Sequence, residues 1–302
     1  MADRISTQFM FARGVDVMLK KQNELSNTEL QLASGQRILK PSDDAAASVQ
    51  ILDLKEAQSR IAQYQRNAEA AMARLSQEET ALDGVQNLLQ RVRELAVAGN
   101  NDTLNADDRG AIAKEVRQHL DSLMQLANTQ DANGDFVFAG FRTNAPPFSL
   151  SATGTLNYAG DQGQRVVQIG DSRKVAMNDP GTLFMNIPGA AGPATDMAAI
   201  LDTLADNFEA GNRDNNALTD IDSALGRILN TRASIGARMN AIEEQQSAND
   251  SFDVAINQVR SSLEDLDYAE AISRFNQQLT ALQASQQSFI KIQDLNLFNF
   301  LR

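Results

Sequence analysis

The sequence predicts a mainly α-helical protein with a small β-rich insert, built as a long antiparallel helical bundle or coiled-coil rod whose terminal helices pair. Three observations predict it. Apolar residues recur every seventh position through two long stretches, one in each half of the chain. Between those stretches glycine and proline become frequent and residues alternate at strand spacing. With 42% apolar but only 5% aromatic residues, the 302-residue chain favours elongated packing over one large compact core.

Taken in chain order, the first helix carries Val15, Met18, Leu25, Leu32 and Leu39 on a heptad grid whose alternate positions are Gln22, Glu29 and Gln36. The segment SGQRILKPSDD, residues 34–44, interrupts it. Gly35 weakens the helix, Pro41 pushes Lys40 out of the α region, and Ser42 is placed to cap a new helix with Asp43 and Asp44 in its first turn. Gly35, Pro41, Ser42, Asp43 and Asp44 therefore form a break that joins two domains. The second helix follows, with Leu54, Ile61, Ala68, Leu75, Leu82, Leu89 and Ala96 as its seam and Met72, Val85 and Val92 between them. At about 1.5 Å per residue, some fifty residues would extend roughly 75 Å.

A turn at Gly99-Asn100-Asn101 leads to a shorter helix, for which Asn105 is the cap and Asp107 and Asp108 complement the positive helix end. Ile112, Val116, Leu123 and Leu126 supply its apolar face. The alternating TLNYAG and RVVQIG, with turn signals at Gly160-Asp161 and Gly170-Asp171, predict the β-rich insert. A second seam then runs through Ile228, Ile235, Ile242, Asn249, Ile256 and Leu263, reinforced by Leu225, Met239, Phe252, Val259 and Leu266. Asn249 interrupts it as a register-fixing polar residue would. The last helix carries Ile272, Phe275, Leu279, Leu282 and Phe289, interspersed with Gln286 and Gln293. The expected domains are an inner terminal-helix domain of residues 1–44 and 264–302, a helical rod domain of 45–140 and 206–263, and a β-rich outer insert domain of 141–205.

Charge follows the same division. The formal net charge of −12 falls wholly within residues 51–266, while the segments 1–50 and 267–302 each balance acids against bases. An isoelectric point near 4.6 argues against a nucleic-acid surface. No apolar run reaches the about 20 residues that span a bilayer, and the N-terminal stretch lacks the apolar core of a cleaved signal, so neither membrane insertion nor classical secretion is expected. The terminal seams are half filled with Gln and Glu and bury little apolar area, so both ends are expected to complete their folding on association with other subunits. Leu25, Leu32, Leu279, Leu282 and Phe289 are the candidate assembly interface.

Chemistry is sparse. There is no cysteine and one histidine, His119, which has no second His or Cys to share a metal. Asp131, Asn133 and Asp135 approximate a calcium loop, but the glycine falls at 134 and Arg142 stands where the closing Glu belongs. Ser34-Gly35 lacks the setting of a nucleophilic serine, and the adjacent Asp43 and Asp44 diverge rather than pair. No catalytic residue, metal or cofactor is expected. Residues 146–205 contain no His, Cys or Glu, so an enzyme housed in the insert lacks an acid/base pair.

LASGQRILKPSDDAAAS and LEDLDYAEAISRFNQQLTALQASQQSFIKIQDLNLFNFL, residues 263–301, resemble the N- and C-terminal motifs of the flagellin superfamily. Within it, NGDFVFAGFRTNAPPF and the ending LNLFNFL are similar to the junction proteins between hook and filament rather than to filament subunits. The likeness covers roughly residues 1–150 and 215–302. It implies a non-enzymatic protein, exported through the flagellar type III apparatus with a chaperone. Such a protein would assemble as a ring of its own copies on hook-associated protein 1 and receive flagellin. It also implies terminal helices lining an inner tube, and the final LFNFLR is the candidate for export or chaperone recognition. The alternative is filament flagellin itself, a bulk polymer.

Overall fold

The computed structural model describes residues 7–190 and 192–298. In order, the elements are α1 (Thr7–Ser34), α2 (Ala45–Gly99), α3 (Ala106–Ala127), β1 (Phe148–Leu150), β2 (Leu156–Tyr158), β3 (Val166–Gln168), β4 (Lys174–Ala176), a short 3-10 turn (Gly181–Phe184), α4 (Met197–Glu209), α5 (Ala217–Glu264) and α6 (Tyr268–Phe298). The chain is mainly helical, as the heptad pattern requires, and it divides into two compact units. Unit 1 is residues 1–60 and 252–302, and unit 2 is residues 61–251.

In unit 2 the heptad series does what its spacing predicts. Ala68, Leu75, Leu82, Leu89 and Ala96 of α2 are fully buried, as are Ile228, Ile235 and Ile242 of α5. Such residues become a core because one apolar stripe per helix must be removed from water, at roughly 25 cal/mol per Å². Helix α3 starts at the expected cap. The Asn105 side chain accepts from the Asp108 N–H and the Asp108 carboxylate accepts from the Asn105 N–H, a capping box. Arg109 then donates to the carbonyls of Gly99 and Asn101, satisfying the open C-terminal end of α2. Helix α4 begins at Met197 with Asp196 as its cap, inside the stretch whose texture predicts a β-rich insert. Its Leu201, Leu204 and Phe208 are fully buried, and a Cβ on Gly99 would lie 2.3 Å from the Phe208 ring, so only glycine lets that ring approach. Arg117 of α3 locks the pair by reaching Asp202, Asp206 and Glu209 of α4.

The insert contains two antiparallel hairpins of three residue pairs each, Phe148–Leu150 with Leu156–Tyr158 and Val166–Gln168 with Lys174–Ala176. The Gly170-Asp171 signal is the second hairpin's turn, whereas Gly160-Asp161 connects the hairpins and the first turn lies at Gly154, φ +74°. Such short ribbons cannot stand alone. Phe148 packs on Tyr158 and Phe184 at 5.1 and 5.3 Å, and Phe184 on Phe138 at 5.2 Å. This aromatic cluster is continuous with the helical core.

Asn249 is 2% exposed. Its side-chain amide donates to the Ile169 carbonyl (3.0 Å) and accepts from Gln245 (2.9 Å). The polar residue in the isoleucine seam thus ties α5 to the second hairpin, a role that heptad reasoning, which sees only helix against helix, assigns to register. Phe252 and Val259, read as reinforcing the same seam, are exposed at 61% and 50%. The positions they flank are polar there, because Gln58 bridges Asp253, Asn257 and Arg260.

Candidate functional site

The candidate site lies in unit 1, where α1 and α6 pair and where the chain breaks twice. Gln31 sits opposite Arg274 (3.4 Å), and Phe11 stacks edge-on against Phe289 at 5.6 Å, so the two helices run antiparallel. Among the residues withdrawn from solvent, Phe11, Gly14, Met18, Lys21, Leu25, Thr28 and Leu32 form one series along α1 and Ala271, Phe275, Gln278, Leu282, Ser285 and Phe289 one along α6, with Gln31, Arg274, Leu279 and Ala281 half-buried beside them. Both sets step by three and four, the spacing of a coiled-coil seam. Val15, Gln22 and Glu29 therefore do not occupy the second seam position predicted for them. That position belongs to Gly14, Lys21 and Thr28, because Phe289 fills the space beside Gly14, where a Cβ would meet its ring at 3.0 Å. Likewise Ile272 is 50% exposed and Gln286 faces outward.

The candidate interface residues Leu25, Leu32, Leu279, Leu282 and Phe289 are all half-buried and are spread along the paired helices α1 and α6 rather than gathered at one place. The seam is interrupted by buried polar groups. Thr28 is 3% exposed and spends its hydroxyl on the Glu24 backbone carbonyl, while the side-chain amide oxygen Oε1 of Gln278 is buried with no partner. Outside the seam the surface is unusually apolar. Val17, Leu19, Leu30, Val49, Leu52, Val254, Ile290 and others are exposed on unit 1, against Val97, Phe141, Leu150, Val166 and Leu229 among the described residues of the larger unit 2. Charge divides the same way: unit 1 holds 12 basic and 14 acidic side chains, leaving 15 and 25 in unit 2. The candidate recognition segment LFNFLR, residues 297–302, lies outside the residues whose side chains are described.

The two breaks meet. Helix α1 ends at Ser34, and Gly35 adopts φ +72° with its N–H on the Gln31 carbonyl, the left-handed cap that glycine takes without strain. The Tyr268 hydroxyl lies 2.8 Å from where a Cβ on Gly35 would stand. Ser34 Oγ donates to the Gln31 carbonyl and accepts from the Gln36 N–H, so this serine is a capping group. Gln36 bridges Asp265, the Arg37 N–H donates to the Glu264 carbonyl, and the Leu266 N–H donates to the Gly35 carbonyl.

Ser42 is not the cap of α2. The helix begins at Ala45, and Asp44 caps it by accepting from the Ala47 N–H at 3.0 Å. The Asp43 carboxylate accepts from the N–H groups of Leu39 and Lys40, closing the turn around Pro41. Both acids precede the helix because Pro41 and this turn delay its start, and Asp44, held by the Ala47 N–H and then by Arg37, has its carboxyl lowered below the usual range. Asp267 caps α6 in the same way, accepting from Ala269 and Glu270. Arg37, Glu264 and Tyr268 are the elbow residues that sequence reasoning missed. An acid three residues before Glu270 is a legible cap signature, but nothing in the sequence pairs Arg37 with position 263.

The remaining candidates are structural. Asp131 accepts from the N–H groups of Asn133 and Asp135 and pairs with Arg74 at 3.0 Å, so its carboxylate is fully engaged. His119 sits 3.9 Å from Glu115, and among the described residues no cluster of three or more His, Cys, Asp or Glu could hold a metal. No described helix is long and apolar enough to cross a membrane.

The described residues form a helical protein whose first and last helices pair, with a β-rich region interposed between its two halves. The bacterial flagellin N-terminal helical region is matched over residues 5–143 and its C-terminal helical region over residues 218–301. Flagellar hook-associated protein 3 of Escherichia coli strain K12 is 31% identical over 98% of both chains, and that of Salmonella typhimurium strain LT2 is 31% identical over 99% of this chain and 100% of its own. The crystal structure of hook-associated protein 3 from Legionella pneumophila has the same fold, with a TM-score of 0.66 at 22% identity over 70% of this chain and 98% of that one. The chain belongs to the flagellin superfamily and, within it, to the hook-associated protein 3 family. It is a structural component of the flagellum and not an enzyme.

Proposed function

We propose that the protein is the junction subunit between hook and filament, assembling outside the cell as a ring of its own copies on hook-associated protein 1 and presenting a surface to which flagellin adds. Export would use the flagellar type III route and its chaperone, with LFNFLR as the recognised end. The observation that carries this reading is the surface of unit 1. A seam half occupied by Lys21, Thr28, Gln278 and Ser285 leaves apolar residues on the outside, and near-neutral charge lets like copies approach without repulsion. Leu25, Leu32, Leu279, Leu282 and Phe289 would complete their burial against neighbours in the inner tube. The division into residues 1–44 with 264–302 inside, 45–140 with 206–263 as rod and 141–205 outermost accompanies the proposal, with Gly35, Pro41, Ser42, Asp43 and Asp44 at the spoke.

A deletion strain tests it. Cells lacking the protein should keep hooks and shed unassembled flagellin into the medium, and the wild-type gene should restore filaments. The double variant Leu279→Ser, Leu282→Ser should fail to restore them while the purified protein keeps the helical circular dichroism of unit 2. Full filaments on the hooks of the deletion strain would refute the junction assignment, and purified protein that polymerises alone into long filaments would replace it with filament flagellin.

A further inference from the structure

We infer that Arg37 makes the two chain crossings of the elbow, residues 34–44 and 263–267, a single coupled joint, so that α1 and α6 cannot reorient one at a time against α2 and α5. Its guanidinium donates twice to the Leu263 carbonyl, from Nε at 3.2 Å and Nη2 at 2.9 Å, and from Nη1 to Asp44 at 3.4 Å. One side chain thus satisfies a carbonyl in the last turn of α5 and holds the carboxylate that caps α2. Its own backbone is fixed on both sides, N–H to the Glu264 carbonyl at 2.7 Å and carbonyl from the Gln31 amide at 2.7 Å. Glu264 is in turn held by Gln36 at 3.0 Å and by Lys55 at 3.2 Å. Four helix ends converge here: Gln31 is in the last turn of α1, Asp44 caps α2, Leu263 is in the last turn of α5, and Tyr268, first residue of α6, covers Gly35.

The geometry requires arginine. Only a planar fork with several fixed donors can address one carbonyl with two N–H groups while a third reaches a carboxylate on the other side; the ammonium of lysine offers a point charge instead. The guanidinium is also partly open to solvent, 45% exposed, so its ion pair with Asp44 contributes little to overall stability and its effect is on geometry. The inference rests on the junction reading only for its purpose: a coupled joint passes load on the paired terminal helices to both long helices together.

The test is hydrogen exchange by mass spectrometry on the full-length protein, comparing wild type with Arg37→Ala and Arg37→Lys. In both variants, peptides covering 34–44 and 263–267 should exchange faster, by about tenfold, the equivalent of one net charge-assisted hydrogen bond. Peptides covering 68–96 should keep their wild-type rates. Loosening of 34–44 alone, with 263–267 unchanged, would overturn the inference, as would unchanged rates at both. If Arg37→Ala also unprotects residues 11–32, the same criteria applied to Arg37→Lys decide. None of these readouts requires a ring or a filament, so failure of the junction reading in the deletion strain leaves them untouched.

Discussion

Replacing Glu78 by glutamine should remove a pH dependence that a single buried carboxyl imposes on unit 2. Glu78 lies on α2 and is fully buried. One oxygen accepts the Asp179 N–H at 3.1 Å, while the other is buried without a partner. Burial first, and then the negative charge of Asp179, push its pKa well above the ordinary value; Arg238, ion-paired with Asp179, and Arg74, paired with Asp131, oppose the shift without cancelling it. In the unfolded chain the same group titrates near about 4.3. Between that pH and the raised native value the folded state binds more protons than the unfolded one. Stability due to this group is therefore complete below the unfolded value and is lost as pH rises through the native one, at no more than about 1.4 kcal/mol per pH unit for one proton. Glutamine keeps the acceptor for the Asp179 N–H and places an amide donor where the second oxygen has no partner. Urea unfolding of wild type and Glu78→Gln, followed by far-ultraviolet circular dichroism from pH 4.5 to 8.5, isolates the group as a difference. The variant should gain on wild type as pH rises, and the gain should level off once wild-type Glu78 is ionised. Parallel curves across the range would refute the reasoning and place an ionised carboxylate in the core at all these values.

Leu82→Ala, at a seam position that is fully buried in unit 2, should cost about 3–5 kcal/mol in the same unfolding assay, through lost transfer energy and the cavity left behind; a cost below about 1 kcal/mol would mean the helices close around the gap. Asn249→Leu should destabilise unit 2 by about 1–3 kcal/mol, because the Ile169 carbonyl loses its buried donor. Hydrogen exchange should show the loss concentrated at residues 166–176; a change confined to the α2 and α5 seam would favour the register role instead.

Much of the helical framework could be read directly. The seven-residue recurrence from Ala68 to Ala96 and from Ile228 to Ile242 marks the buried stripe, because period alone decides which face of a long helix leaves water. Asn105 with Asp108 announces the start of α3 for the same reason: a cap is a local hydrogen bond between residues three apart. The elbow was half legible. Gly35 and Pro41 mark a break through backbone constraints that belong to those residues alone, yet Ser42 as the cap was wrong, because Ser42, Asp43 and Asp44 are all capable caps and only the path of the turn chooses among them.

What the sequence determined by itself was therefore what backbone constraint and the period of apolar residues carry over long stretches: the long helices, the place of the breaks, the balance of charge along the chain, but not α4, which begins in the stretch whose texture predicts strands. Only the tertiary structure decided which half of each terminal seam faces inward, that Gly14 rather than Val15 meets Phe289, that Asn249 serves the hairpin, and that Arg37 joins crossings more than 220 residues apart. Each of those contacts pairs groups distant in sequence, where spacing carries no information and three-dimensional packing sets the partner.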